Sequence, residues 1–419
     1  MRLLRRMGRW RFIAALAIFG PGFITANVDN DAGGIATYSL AGGNFGYAHL
    51  WALIPIGILL YVIQEMSGRL GAVTGKGLAD LIRERFGLRL TFWLMIGLLF
   101  TNLANTMGEF AGIASASEIF GISRYIALPI AAALVWFIVT RGTYSTVEKV
   151  FLVACIVYVA YPVSGTMALL ANPDSAPTWG NLVPRWSSQP GYAMMLVGIV
   201  GTTIAPWMQF YQQAAVADKG LTAQDKRAVR ADVLVGCIGA LIVVFAIVVT
   251  CAATIHHEGL RVKSVGDAAQ ALFPLAGANC ARLFALGLLN ASLFAASILP
   301  LATAYQVAEG MGWERGVDRT FREAPEFYTT YGALIAIGAG LLLIPGAPLL
   351  AIMYLSQVLN GVLLPVVLVF MLLLINNRAV MGEHTNSRIG NVVAGLSAVA
   401  VSCLVVFLAV SALRGELGS

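Results

Sequence analysis

Asn27-Val28-Asp29-Asn30-Asp31-Ala32-Gly33-Gly34 interrupts an apolar run that extends from about Arg11 to Ala41. A second run, from about Gly191 to Ala217, is interrupted by Gly201-Thr202-Thr203-Ile204-Ala205-Pro206-Trp207. In the first, two glycines support a helix poorly, and Asn and Asp side chains compete for backbone hydrogen bonds. In the second, Pro206 lacks an N–H and clashes with the preceding turn. Carbonyls freed in hydrocarbon cost several kcal/mol each unless an ion, water or polar side chain satisfies them. Pro206 alone reads as a kink. Paired with a carboxylate-bearing break in an earlier span, it reads as half of a transporter binding site, and the carboxylates suggest a cationic cargo.

The chain has 419 residues, of which 58% are hydrophobic and 11% charged. Soluble domains average about 25% charged. Most windows of about 20 residues are apolar enough to cross a bilayer core, and the runs are continuous rather than alternating, which excludes a β-barrel. The expected fold is an all-α polytopic membrane protein with eleven transmembrane helices. They lie near residues 13–41, 46–68, 90–120, 124–140, 146–171, 191–217, 231–255, 279–308, 325–345, 348–375 and 390–412. The loops are short, so residues 1–419 read as one membrane transporter domain.

The broken spans are the first and the sixth. Spans 1–5 (about 13–171) and 6–10 (about 191–375) therefore read as two repeats, and the helix at about 390–412 as an addition. An odd repeat length puts the halves in opposite orientation, with discontinuous helices 1 and 6 meeting near the midplane.

With the N-terminus in the cytoplasm, 21 of the 27 Lys and Arg fall on the cytoplasmic side and six on the other. This bias predicts a cytoplasmic N-terminus and an extracytoplasmic C-terminus. It also accounts for the net charge of +6 without nucleic acid. The Arg-rich start followed by an apolar run resembles a signal peptide, but Pro21, Asp29 and Asp31 follow without a small-residue cleavage site. The five cysteines lack metal-ligand spacing and read as small apolar packing residues. Nucleotide-binding, hydrolase and metalloprotease motifs are absent, so no enzyme, cofactor or required protein partner is expected.

Asp31, at the first break, is the leading candidate, because a carboxylate at membrane depth is costly and marks function. Asp29 and Asn30 face either the same cavity or vestibule water, and Asn27 shares the face of Asp31 if the helix persists that far. Glu109, mid-span with no basic neighbour in sequence, is either protonated and hydrogen-bonded or part of the ion path. Glu65 reads as an i,i+4 partner of Arg69, with a cytoplasmic gate as the alternative. Ser356, Gln357 and Asn360 either bond between helices or line the cavity.

These residues resemble the NRAMP divalent-metal transporter family over nearly the whole chain. Gly20-Pro21-Gly22-Phe23 and Asp31-Ala32-Gly33-Gly34 look like that family's opening Gly-Pro-Gly and its Asp-Pro-Gly-Asn motif. Thr202-Thr203-Ile204-Ala205-Pro206-Trp207 is similar to its Ala-x-x-Met-Pro-His motif. Leu355-Ser356-Gln357-Val358 and Leu364-Pro365 look like its span 10 pattern. The resemblance implies the inverted-repeat fold of sodium-coupled amino-acid symporters.

Departures from the family pattern carry as much information. The family's metal-binding aspartate is retained as Asp31, while its asparagine, methionine and histidine are replaced by Gly34, Ala205 and Trp207. Its span 3 aspartate falls at Thr106, and the nearby glutamate is kept as Glu109. This combination is similar to the NRAMP-related magnesium transporters of prokaryotes. Loss of thioether and amide ligands suits Mg²⁺, a hard ion that keeps several waters, and Mn²⁺ accepts the same oxygen ligands.

The resemblance thus implies Mg²⁺ (and Mn²⁺) transport across a prokaryotic inner membrane by alternating access, without proton coupling. Asp31, Gly34, Thr202, Ala205 and Gln357 are the expected metal-site residues. Asn27, Asp29, Asn30, Trp207 and Asn360 are expected around the cavity, and Thr106 and Glu109 on a proton or ion path. The competing expectations are a proton-coupled Mn²⁺/Fe²⁺ symporter and a sodium-coupled amino-acid symporter.

Overall fold

The computed structural model describes residues 30–141, 159–317 and 319–413, and every regular element among them is helical. The main helices are α1 (Ala32–Phe45), α2 (Leu53–Thr74), α3 (Leu78–Phe86), α4 (Leu88–Ile119), α5 (Arg124–Arg141) and α6 (Ala160–Ala171). They continue as α7 (Tyr192–Thr203), α8 (Pro206–Asp218), α9 (Lys226–Cys251), α10 (Cys280–Met311), α11 (Pro325–Leu341), α12 (Leu349–Ile375) and α13 (Arg388–Leu413). Among the described residues, seven helical segments are long and apolar enough to cross a membrane, with α7 and α8 forming one of them. The shorter α5 is also apolar.

Among the described residues most spans lie where their hydropathy predicts; residues 13–29 of the first and 146–158 of the fifth lie outside them. The first two differ at their junction. The first runs on to Phe45, and Gly46, at φ 57°, ends it in a conformation that disfavours side chains. The second therefore begins at Leu53 rather than near residue 46.

Among the described residues, four prolines show when a span breaks at proline and when it does not. Pro129, Pro300 and Pro365 ride inside α5, α10 and α12. Pro206 instead opens α8 at its first position, where a missing N–H costs nothing. Ala205 before it is extended (φ −65°, ψ 137°), as the residue preceding a proline prefers. With Ile204 at φ −132°, ψ 59°, the span divides into two half-helices.

The core is long-range helix packing: α4 along α10, α7 and α4 along α12, and α8 along α2. α1 is buried from Ala32 to Gly43. Gly201 and Gly361 bring α7 and α12 together backbone to backbone, leaving no space for a Cβ on Gly201.

Candidate functional site

Asp31 is the N-cap of α1, and its Oδ1 accepts the Gly34 N–H at 2.6 Å. Glu109 on α4 covers the same helix end, its Oε2 accepting the Ala32 N–H at 3.2 Å. Helix N-termini attract anions. Here two of the chain's own carboxyl groups fill that end. They lie within hydrogen-bonding reach of each other, and both are buried, at 5% and 0% exposure. Glu109 Oε1 finds no donor, and no ion pair among the described residues involves either carboxyl. Two ionised carboxylates at this range repel strongly in a low-dielectric interior, so the arrangement calls for a shared proton or a cation.

The second break meets this point through Gln357. Its side chain lies against Gly33, where a Cβ would overlap the amide, and its carbonyl lies against Gly201. The helix α1 and the half-helix α7 thus converge on one residue of α12. Tyr38 Oη and Thr203 Oγ1, 2.8 Å apart, join them a second time. At the break, Pro206 cannot donate to the Thr202 carbonyl, and Ala205 makes no backbone hydrogen bond to Gly201. The Ala205 carbonyl is already taken, by Gln209 Nε2 at 3.2 Å and the Met208 N–H at 3.1 Å.

The structure therefore gathers Asp31, Gly34 and Gln357 at the convergence, with Thr202 and Ala205 on the adjoining break. Gly34 contributes its N–H to Asp31. Asn30 is fully buried rather than facing open vestibule water. Asn27 and Asp29 lie outside the described residues.

Asn360 bonds reciprocally with Asn105 of α4 (2.9 and 3.0 Å) and donates to Gln357 Oε1 at 2.9 Å, so these bonds realise the interhelical reading of the α12 polar patch. Thr106 spends its hydroxyl on the Asn102 carbonyl (2.8 Å) and packs on Gly338 of α11. Trp207 is buried, and its carbonyl accepts Gln306 Nε2 at 3.1 Å. Glu65 pairs with Arg69 at 3.1 Å, and also with Arg230 at 2.7 Å.

Gln306, Asn102 and Tyr38 were not candidates from sequence. Asn102 Nδ2 donates to Gln306 Oε1 at 3.1 Å, so α4, α10 and α8 are tied by one amide relay. A lone Gln in the apolar α10 was the available signal.

On the side away from α8, a cavity of about 820 Å³ is bordered by Leu40, Asn44, Glu118, Met195, Lys263 and Tyr354. Glu118 is paired there with Arg124 at 2.5 Å.

Comparison with known proteins agrees with this architecture. The family model described as "Natural resistance-associated macrophage protein-like" matches residues 22–411. The Divalent metal cation transporter MntH of Deinococcus radiodurans is 28% identical over 93% of this chain and 88% of its own length. MntH of Yersinia pestis is 27% identical over 95% and 96%. In fold, the manganese transporter of Eremococcus coleocola, solved with an aromatic bis-isothiourea substituted compound, superposes with a TM-score of 0.74 at 22% identity, covering 94% of this chain and 86% of that one. MhsT, solved with L-phenylalanine, superposes with a TM-score of 0.62 at 16% identity over 93% and 98%. The fold is thus the one shared with the manganese transporter, the Tyr192–Asp218 span divided at Ile204 and Ala205, and the chain belongs to the Nramp family.

Proposed function

We propose that this chain carries divalent metal cations across the prokaryotic inner membrane, Mg²⁺ preferentially and Mn²⁺ as well, by alternating access and without proton coupling. The observation that carries the reading is the base-free pair of buried carboxyls, Asp31 and Glu109, at the N-terminus of a half-helix. A divalent ion neutralises both. Oxygen donors suited to a hard cation are the Asp31 and Glu109 carboxyls and the Thr202 carbonyl, with water completing the shell; Gln357, whose Oε1 is taken by Asn360 and whose Nε2 faces Gly33, reaches the ion through that water. Ala205 withholds the thioether that would favour softer transition metals. A membrane potential, negative inside, drives a divalent ion inward by about 4.6 kcal/mol per 100 mV, at about 2.3 per charge.

Proton coupling to Mn²⁺ or Fe²⁺ draws on the same pair, since the two carboxyls would share a proton in the empty site. The onward route argues against it. Trp207 does not titrate, the Thr106 hydroxyl is held by its own helix, and the next polar groups on α4 are amides, Asn105 and Asn102. Amino-acid symport is disfavoured by the same geometry. The Ala32 and Gly34 N–H groups that would hold a substrate carboxylate are already occupied by Glu109 and Asp31.

The test is Mg²⁺ and Mn²⁺ uptake into proteoliposomes, with internal pH followed, for the parent chain and Asp31→Ala. Flux of both ions without acidification, lost in Asp31→Ala, is expected. Absence of Mg²⁺ flux refutes the cargo, and acidification that tracks flux refutes uncoupled transport.

A further inference from the structure

A cavity of about 220 Å³ lies between α8 and α10, bordered by Phe210, Tyr211 and Asp218 on one side and Tyr305, Gln306 and Glu309 on the other. Gln306 on its wall holds the Trp207 carbonyl through its amide, so the cavity lies one side chain from the residue that follows Pro206. Gln306 and Glu309 are three residues apart and share a face of α10. Glu309 is 2% exposed. Its Oε1 meets Arg315 Nε at 3.5 Å, and its Oε2, packed against Gly77 at the start of α3, accepts no hydrogen bond among the described residues. An ionised carboxylate buried without a donor is costly, and a bound cation offsets that cost. The cavity is roomy enough for a divalent ion that keeps its octahedral water shell.

We propose that this cavity is a second, weaker cation site, a station for the hydrated divalent ion between the break and the solvent at the outer end of α8. The proposal rests on the cation-transport reading of the Asp31 site. Glu309 Oε2 and the Asp218 carboxylate hold the ion through its waters. Arg315 and Lys219 reduce the field there, which keeps the site weak enough to release the ion.

The experiment is Mn²⁺ binding to the purified full chain, with free Mn²⁺ read by its paramagnetic resonance signal up to the millimolar range. The parent chain shows a tight and a weak class. Glu309→Gln loses the weak class and keeps the tight one, and Asp31→Ala does the reverse. Asp218→Asn weakens the weak class severalfold. Lys219→Gln tightens it severalfold, a change that a merely structural Glu309 would not produce. Two intact classes in Glu309→Gln, or a single parent class abolished by Asp31→Ala, overturns the second site. A parent class lost in Glu309→Gln but untouched by Asp31→Ala supports the second site and overturns the Asp31 reading.

Discussion

Glu109 caps a helix that starts 77 residues before it, its Oε2 accepting the Ala32 N–H at 3.2 Å. Glu109→Gln keeps an acceptor oxygen at that point and removes the charge. Transport affinity for Mn²⁺ is therefore expected to fall at least tenfold, about 1.4 kcal/mol. The melting temperature is expected to hold or rise, because one member of a repulsive buried pair is gone. Concentration dependence of Mn²⁺ uptake and a thermal melt of the same preparation check the two halves. A variant that melts lower and transports with unchanged affinity would make Glu109 a cap and nothing more.

Ala205 stands on the break with its carbonyl already bonded to Gln209 and Met208. Its contribution is its small, sulfur-free side chain. Ala205→Met adds a thioether beside the hard oxygen donors, so Cd²⁺ should compete better and Mg²⁺ worse. Competition of Cd²⁺ against Mn²⁺ uptake measures this. A fall in the half-inhibitory Cd²⁺ concentration of about tenfold corresponds to about 1.4 kcal/mol. Unchanged competition would place the sulfur out of reach of the ion.

The break at Pro206 and the start of α1 at Asp31 are legible because their causes are local: Pro206 lacks an N–H, and Asp31 is a residue type that caps helices. What remained hidden depends on partners distant in sequence. Glu109 gave two open readings because nothing nearby says that it will meet Ala32. Gln306 holds a carbonyl 99 residues away, and Tyr38 meets a hydroxyl 165 residues away. The end of α1 was misplaced for another reason. Hydropathy reports burial, and Gly46 stops the helix through its backbone angle, which hydropathy does not encode.

Gly33 and Gly201 face the same residue, Gln357, with different tolerance for a methyl group. At Gly33 the obstacle is the end of a flexible amide, which can swing aside. At Gly201 it is the Gln357 carbonyl and the Gly361 backbone, which cannot. Gly201→Ala should therefore destabilise the protein by about 1–3 kcal/mol, as overpacking does. Gly33→Ala should leave stability nearly unchanged and lower Mg²⁺ transport by displacing Gln357. Melting temperature and initial uptake rate, taken together on both variants, separate the effects. Equal melting temperatures would show that α7 and α12 yield more than their backbone contact suggests.

His49 lies in the turn between α1 and α2, buried and stacked on Tyr192 at 4.2 Å, with Nε2 3.1 Å from the Tyr192 carbonyl. Its Nδ1 has no partner among the described residues. Burial lowers its pKa from 6.5 to about 4, and the Tyr192 carbonyl only partly opposes that shift. Between those values the unfolded chain binds a proton that the folded chain refuses. Stability therefore falls as pH drops from about 6.5 towards 4, and is whole above 6.5. At about 1.4 kcal/mol per pH unit, the loss from this one group reaches about 2 kcal/mol by pH 5. His49→Gln removes the titration, so its melting temperature should decline less than the parent's between pH 7 and pH 5. Parallel declines in the two proteins would assign the acid sensitivity to other groups.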